Sequence, residues 1–144
     1  MPMIPGGEMV AGGVRKEIKL LVVDDQADHF EQIRTFADMY SSHFVIECKL
    51  AHDKDEANEV MAAWNPSVVL VDVHLIADAF NLIQEISHKG ASVLAVSEAR
   101  IPRLAETAQT YGAVGCLTKS DNPDDVEHLV GYIASIATSS IVSH

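Results

Sequence analysis

The sequence lacks several features that would have placed it in common functional classes. No apolar run approaches the ~18 residues of a membrane-spanning helix. Only two cysteines occur, too few for a disulfide framework or a zinc site, so we expect Cys48 and Cys116 to be buried free thiols in a reducing compartment. Because the 10 Lys and Arg are outnumbered by 21 Asp and Glu, the formal net charge of -11 disfavours direct binding to nucleic acid. The Gly-rich loops that hold nucleotide phosphates are also absent.

What remains is a pattern that alternates between strand and helix. Apolar runs predict strands over residues 18–23, 44–50, 67–72, 91–96 and 113–117. Each is followed by helical periodicity, with Asp28, Asp53 and Asn122 as predicted helix caps. Five such repeats predict one parallel sheet covered by helices on both faces. We expect a single α/β domain over 18–137, between a flexible tail at 1–17 and a frayed tail at 138–144.

Polar residues follow four of the five predicted strands. Asp24 and Asp25 come directly after the first strand, Asp72 ends the third, Ser97 follows the fourth and Lys119 follows the fifth. Ligands of open parallel sheets bind at the carboxyl ends of the strands, so these side chains are expected to meet at one edge. Clustered carboxylates need a cation to stay ionised together, and their hard oxygens suit magnesium.

In this order and at these positions the motifs LLVVDD, VVLVD, LAVS and GAVGCLTK resemble the receiver domain of bacterial two-component response regulators. The resemblance covers about residues 18 to 137. It implies a flavodoxin-like, doubly wound sheet with strand order 2-1-3-4-5 in one three-layer domain. It also implies a cytoplasmic signalling protein rather than an enzyme.

The resemblance implies a role for each of these residues. Asp72 would accept a phosphoryl group from a sensor histidine kinase or phosphotransfer protein. Asp25, Asp72 and the backbone carbonyl of His74 would bind Mg²⁺, with Asp24 acting largely through water. Ser97 and Lys119 would contact the phosphoryl oxygens. The fourth helix, fifth strand and last helix would then report to a downstream effector or form a homodimer, with no contact to membrane or nucleic acid.

The sequence also departs from the family pattern. The loop after Asp72 lacks the usual Pro and Gly and is one residue shorter. Glu98 stands where the family favours a small residue, and Cys116 stands where it often has an aromatic switch. Ser120 replaces the usual Pro, which makes a cis peptide unexpected there.

These departures leave two alternatives open. The chain could be a phosphorylation-independent interaction module, or a small hydrolase that forms an aspartyl-phosphate. The hydrolase is disfavoured because His74 stands where a second acid is expected. Of the seven histidines, we expect nearly all at the surface or in loops, with His74 bordering the site. The output domain is not predicted, since the chain is either a stand-alone receiver or a fragment of a longer protein.

Overall fold

A computed structural model describes residues 16–39, 44–98, 101–120 and 122–142. Strands and helices alternate along the chain: β1 (Lys16–Val23), α1 (Ala27–Met39), β2 (Phe44–Ala51), α2 (Lys54–Trp64), β3 (Val68–Asp72), α3 (Ala79–His88), β4 (Ser92–Ser97), α4 (Leu104–Thr110), β5 (Gly115–Thr118) and α5 (Pro123–Val142). Among these residues, no helix is long and apolar enough to cross a bilayer.

The five strands form one parallel sheet in the order β2-β1-β3-β4-β5. This confirms the predicted flavodoxin-like topology and puts β2, the strand of most mixed polarity, at an edge. The order reverses between β1 and β3, because the chain moves first to one side of β1 and then to the other. Such a reversal opens a crevice at the carboxyl ends of the two strands.

Two apolar cores cover the two faces of the sheet, because successive side chains of a strand point to opposite faces. Leu20 and Val22 of β1 pack in the core on the side of α1 and α5. Leu21 and Val23 pack in the core on the side of α2, α3 and α4. The uninterrupted apolar run of β1 is therefore what a strand buried on both faces requires.

The helix ends follow local sequence signals in most cases. Asp53 caps α2 through its side chain, which accepts from the N–H of Glu56, and Asn65 ends that helix in the left-handed region at φ 53°. The Asn122 carboxamide oxygen accepts from the N–H of Asp124 at 2.9 Å, as the predicted start of α5 requires. The prediction for α1 was wrong, because Asp28 lies inside the first turn rather than at the cap.

The chain ends differ from their predicted boundaries. β1 begins at Lys16, two residues before the predicted start, and residues 1–15 lie outside the described part. α5 continues to Val142, five residues past the predicted end of the domain at 137, because Ser and Thr reduce helix stability without ending a helix. β5 is shorter than predicted and begins at Gly115.

Candidate functional site

The site residues come together because their strands are parallel and in register. β1 gives way to Asp24 directly after Val23, and Asp72 is the last residue of β3. Ser97 ends β4 and pairs with Thr118 of β5, whose next residue is Lys119. The Lys119 N–H donates to the Ser97 carbonyl at 2.6 Å, which ties the two loops together. The predicted meeting at one edge is thus what the fold produces.

The ammonium group of Lys119 lies at the centre of this cluster. Its Nζ is 2.8 Å from Asp24 Oδ2 and 2.9 Å from Asp72 Oδ2. It also donates to the side-chain oxygen of Gln26 at 3.3 Å. The side chain of Lys119 is only 7% exposed, and those of Asp24 and Asp72 are 2% and 1% exposed. Such burial makes the ion pairs strong interactions that water screens poorly.

The second oxygen of each carboxylate accepts from the backbone. Asp24 Oδ1 accepts from the N–H of Gln26 at 2.8 Å. Asp72 Oδ1 accepts from the N–H groups of His74 at 2.8 Å and Leu75 at 2.9 Å. Asp72 therefore organises the turn that follows β3 and does not cap α3, whose first flanking residue is Asp78.

These contacts fix the charge state of the pair formed by Asp24 and Lys119. Burial opposes ionisation of Asp24, but the nearby His29 ring and hydrogen bonds from Lys119 and Gln26 outweigh it and hold the pKa of Asp24 below its ordinary value. Burial also opposes the charge on Lys119, yet Asp24 and Asp72 together raise the pKa of Lys119 above its ordinary value. Both groups are consequently charged at neutral pH.

The other residues near the pair of Asp24 and Lys119 differ in burial. They are Asp25, Ser97 and Glu98. Ser97 is 1% exposed, at the end of β4. Asp25 is exposed beside the buried Asp24. Glu98 is also exposed and lines a cavity of about 500 Å³ at the mouth of the site, whose other wall residues include Gln26, Asp28, Gln32 and Lys119. Within the described residues, no group of three or more His, Cys, Asp or Glu side chains is already arranged to hold a metal ion.

Sequence reasoning missed one neighbour of the acids, His29. His29 was expected at the surface, but it is 7% exposed and its Nδ1 lies 3.8 Å from Asp24 Oδ2. His74, which we expected to border the site, has an exposed side chain and contributes its backbone N–H instead. The signal for His29 was its position in the first turn of α1, four residues before the buried Ile33 and so on the same face.

Two departures from the family pattern, Cys116 and Ser120, lie in the described part of the chain. Cys116 is a half-buried free thiol that lines a cavity of about 510 Å³, together with Ser97 and residues of α4. Burial raises the pKa of Cys116. The peptide before Ser120 is trans, since the described residues contain no cis bond.

The fold and this edge define a doubly wound α/β domain with a buried acid–lysine site. The family model named response regulator receiver domain matches residues 20–131, most of the chain. The chain therefore belongs to this family and is the receiver domain of a response regulator, which is a signalling domain. No curated protein matches the sequence.

Solved structures share the fold at low sequence identity. A response regulator from Thermotoga maritima is 21% identical with a TM-score of 0.72, over 83% of this chain and 98% of that one. The receiver domain of the putative regulator NarL from Mycobacterium tuberculosis is 20% identical with a TM-score of 0.68, over 83% and 98% of the two chains. NtrX from Brucella abortus is 22% identical with a TM-score of 0.69, but the match spans only 26% of that longer chain.

Proposed function

We propose that Asp72 accepts a phosphoryl group from a phosphohistidine of a sensor histidine kinase or phosphotransfer protein. The observation that supports this most directly is the ammonium group of Lys119, which Asp24 and Asp72 both contact. A buried carboxylate at the end of a central strand keeps one oxygen, Oδ2, against Lys119, and Lys119 itself lines the cavity at the mouth of the site. A purely structural ion pair would not require a second buried acid, Asp24, on the same ammonium group at a sheet edge where ligands bind.

In the proposed step, Asp72 Oδ2 attacks phosphorus while the bond from phosphorus to the histidine nitrogen breaks. The electron pair of that bond stays on the histidine ring, which takes up a proton, and Asp72 becomes an acyl phosphate. In this proposal Lys119 moves from Asp72 Oδ2 to a phosphoryl oxygen, and Ser97 donates its hydroxyl to another. Positioning and neutralisation of charge are what phosphoryl transfer demands of a protein.

The donor set at this edge fits Mg²⁺. Asp24 and Asp72 carry two buried negative charges, and Lys119 supplies one positive charge between them. One negative charge is therefore left for a further cation to balance. Mg²⁺ is commonly held by one or two carboxylates together with water and phosphate oxygens, so a complete cage of side chains is not required. Asp25, Asp72 and the His74 carbonyl would hold the ion, with Asp24 acting through water. When bound, it would neutralise the incoming phosphoryl oxygens.

The proposed output face consists of α4, β5 and α5. Of the five large apolar side chains that the described residues expose, Ile101, Val114 and Tyr132 lie on or beside these elements, at 39%, 54% and 41% exposure. Binding a downstream effector, or a second copy of the chain, would cover them. The proposed compartment is the cytoplasm, where an ATP-dependent kinase can supply the phosphoryl group.

The test is intact-mass measurement after incubation with Mg²⁺ and acetyl phosphate. One added phosphoryl group is expected, absent in Asp72→Asn and absent when EDTA removes the metal. Asp78→Asn is the matched control, since it alters an exposed acid in the same loop and should leave the adduct unchanged. Absence of the adduct in the unmodified protein would favour a phosphorylation-independent interaction module. Rapid, repeated release of phosphate would instead favour the hydrolase.

A further inference from the structure

We propose that Gln26 is a positioning residue for Lys119 and thereby sets the lifetime of the phosphoryl group on Asp72. This inference rests on the proposed function. The supporting geometry is that every hydrogen of the Lys119 ammonium group has an acceptor. Its three hydrogens face three acceptors, Asp24 Oδ2 at 2.8 Å, Asp72 Oδ2 at 2.9 Å and Gln26 Oε1 at 3.3 Å.

Gln26 is held in place by its own backbone. Its N–H donates to Asp24 Oδ1 at 2.8 Å, and α1 begins at the next residue. The same residue therefore fixes one oxygen of Asp24 and reaches over to the lysine that binds the other. Its side chain is exposed and lines the cavity at the mouth of the site. It can therefore contact Lys119 without being part of the packed core.

The role follows from what phosphorylation does to the three acceptors. When Asp72 Oδ2 bonds to phosphorus, it loses its negative charge and is a poorer acceptor for Lys119. Lys119 then contacts a phosphoryl oxygen, and Asp24 and Gln26 are the protein groups that still anchor it.

Hydrolysis reverses the change. Water attacks phosphorus, the bond from phosphorus to Oδ2 breaks, its electron pair returns to Oδ2, and the proton of the water goes to solvent as phosphate leaves. An ammonium group held beside Oδ2 stabilises the charge that develops there, so a well-anchored Lys119 speeds the loss of the phosphoryl group.

The decisive variants change the acceptor without changing the size of the side chain. Gln26→Met removes the acceptor, Gln26→Glu restores one, and Gln84→Met is a control at an exposed glutamine of α3. After labelling with acetyl phosphate and removal of the donor, the decay of the adduct is followed by mass. We expect decay to slow about threefold to tenfold in Gln26→Met, the effect of one hydrogen bond of ordinary strength, since this bond is long and solvent-exposed. Gln26→Glu supplies an acceptor that binds the ammonium group at least as strongly, so it should decay no more slowly than the unmodified protein.

A second readout does not depend on phosphorylation. The ¹⁵N and ¹H resonances of the Lys119 ammonium group should move in Gln26→Met and stay near their original positions in Gln84→Met. Equal decay in Gln26→Met and the unmodified protein would overturn the inference, even if the variant were less stable. Slow decay in Gln26→Glu would also overturn it. If the unmodified protein takes up no phosphoryl group, the proposed function fails by itself, and the ammonium resonances still decide whether Gln26 positions Lys119.

Discussion

Replacing Lys119 with Met should show how much of the stability of the fold depends on the charge at the centre of the site. The substitution keeps the length of the side chain and removes its charge, which leaves Asp24 and Asp72 buried side by side without a cation. Removing one partner of a buried ion pair costs about 3–5 kcal/mol, and we expect about 3 kcal/mol at pH 7 because three backbone N–H groups still donate to these carboxylates. Urea unfolding measures the loss. Lys54→Met is the matched control, since its pair with Glu85 at 3.4 Å is partly exposed and should be worth less than about 1 kcal/mol.

The pH dependence of this loss provides the refuting result. In the unmodified protein the pKa of Asp24 is held below its ordinary value, so its stabilisation is present above that ordinary value and is lost as the pH falls through the lower, folded pKa. In Lys119→Met one cause of the lowering is gone, and protonation of the carboxylates relieves their repulsion. The difference between the two proteins should therefore shrink between pH 7 and about pH 4. A difference of equal size at both pH values would mean that lost packing, not unbalanced charge, explains the destabilisation.

Three further predictions concern residues away from the site. Asn58 Oδ1 is buried without a hydrogen-bond partner, so Asn58→Leu should raise the free energy of unfolding by about 1 kcal/mol in urea unfolding; an unchanged or lower value would mean that the oxygen is solvated. Burial raises the pKa of Cys48 to about 12, so stability should fall as the pH rises above the ordinary thiol value; between pH 8 and pH 10 the protein should lose about 1 kcal/mol more than Cys48→Val, and parallel losses would contradict this. Gly90 and Gly112 both have positive φ, at 97° and 107°, but only at Gly112 would a Cβ meet a neighbour, 2.5 Å from Ser87 Oγ. In thermal unfolding, Gly90→Ala should cost about 1 kcal/mol of stability and Gly112→Ala measurably more. Equal costs would show that Ser87 moves aside.

The sequence was sufficient to predict the fold because apolar strand runs and helical periodicity alternate without conflict from β1 to α5. Val68–Asp72 is buried at every position, as its unbroken apolar run predicted, and the charges of Glu47 and Lys49 placed β2 correctly at an edge. Boundaries were less predictable. Asp28 has the chemistry of a cap, but Ala27 already has helical backbone geometry, and pattern alone does not separate a cap from a first-turn acid.

The candidate site divides in the same way. Residues that end strands could be predicted, because register carries Asp24, Asp72, Ser97 and Lys119 to one edge. Neighbours contributed by α1 could not, since the direction in which His29 points depends on how α1 packs against the sheet. A polar residue on an otherwise apolar helical face was the available signal, and the expectation that His29 lies at the surface was wrong.

The short loop after Asp72 bears on whether the unusual sequence there weakens the site. It has neither the Pro nor the Gly expected of the family, yet two of its N–H groups bind Asp72 Oδ1, and the N–H of Ile76 donates to the Asp72 carbonyl at 3.2 Å. The loop thus fixes one oxygen of the carboxylate through backbone groups alone, which any sequence able to make the turn would supply. Because Oδ1 is occupied in this way, Oδ2 is the oxygen that remains beside Lys119 and the one proposed to bond to phosphorus. The missing Pro and Gly therefore give no reason to expect loss of acceptor function, and Glu98, an exposed negative charge at the mouth, is the stronger candidate for slowing the approach of an anionic donor.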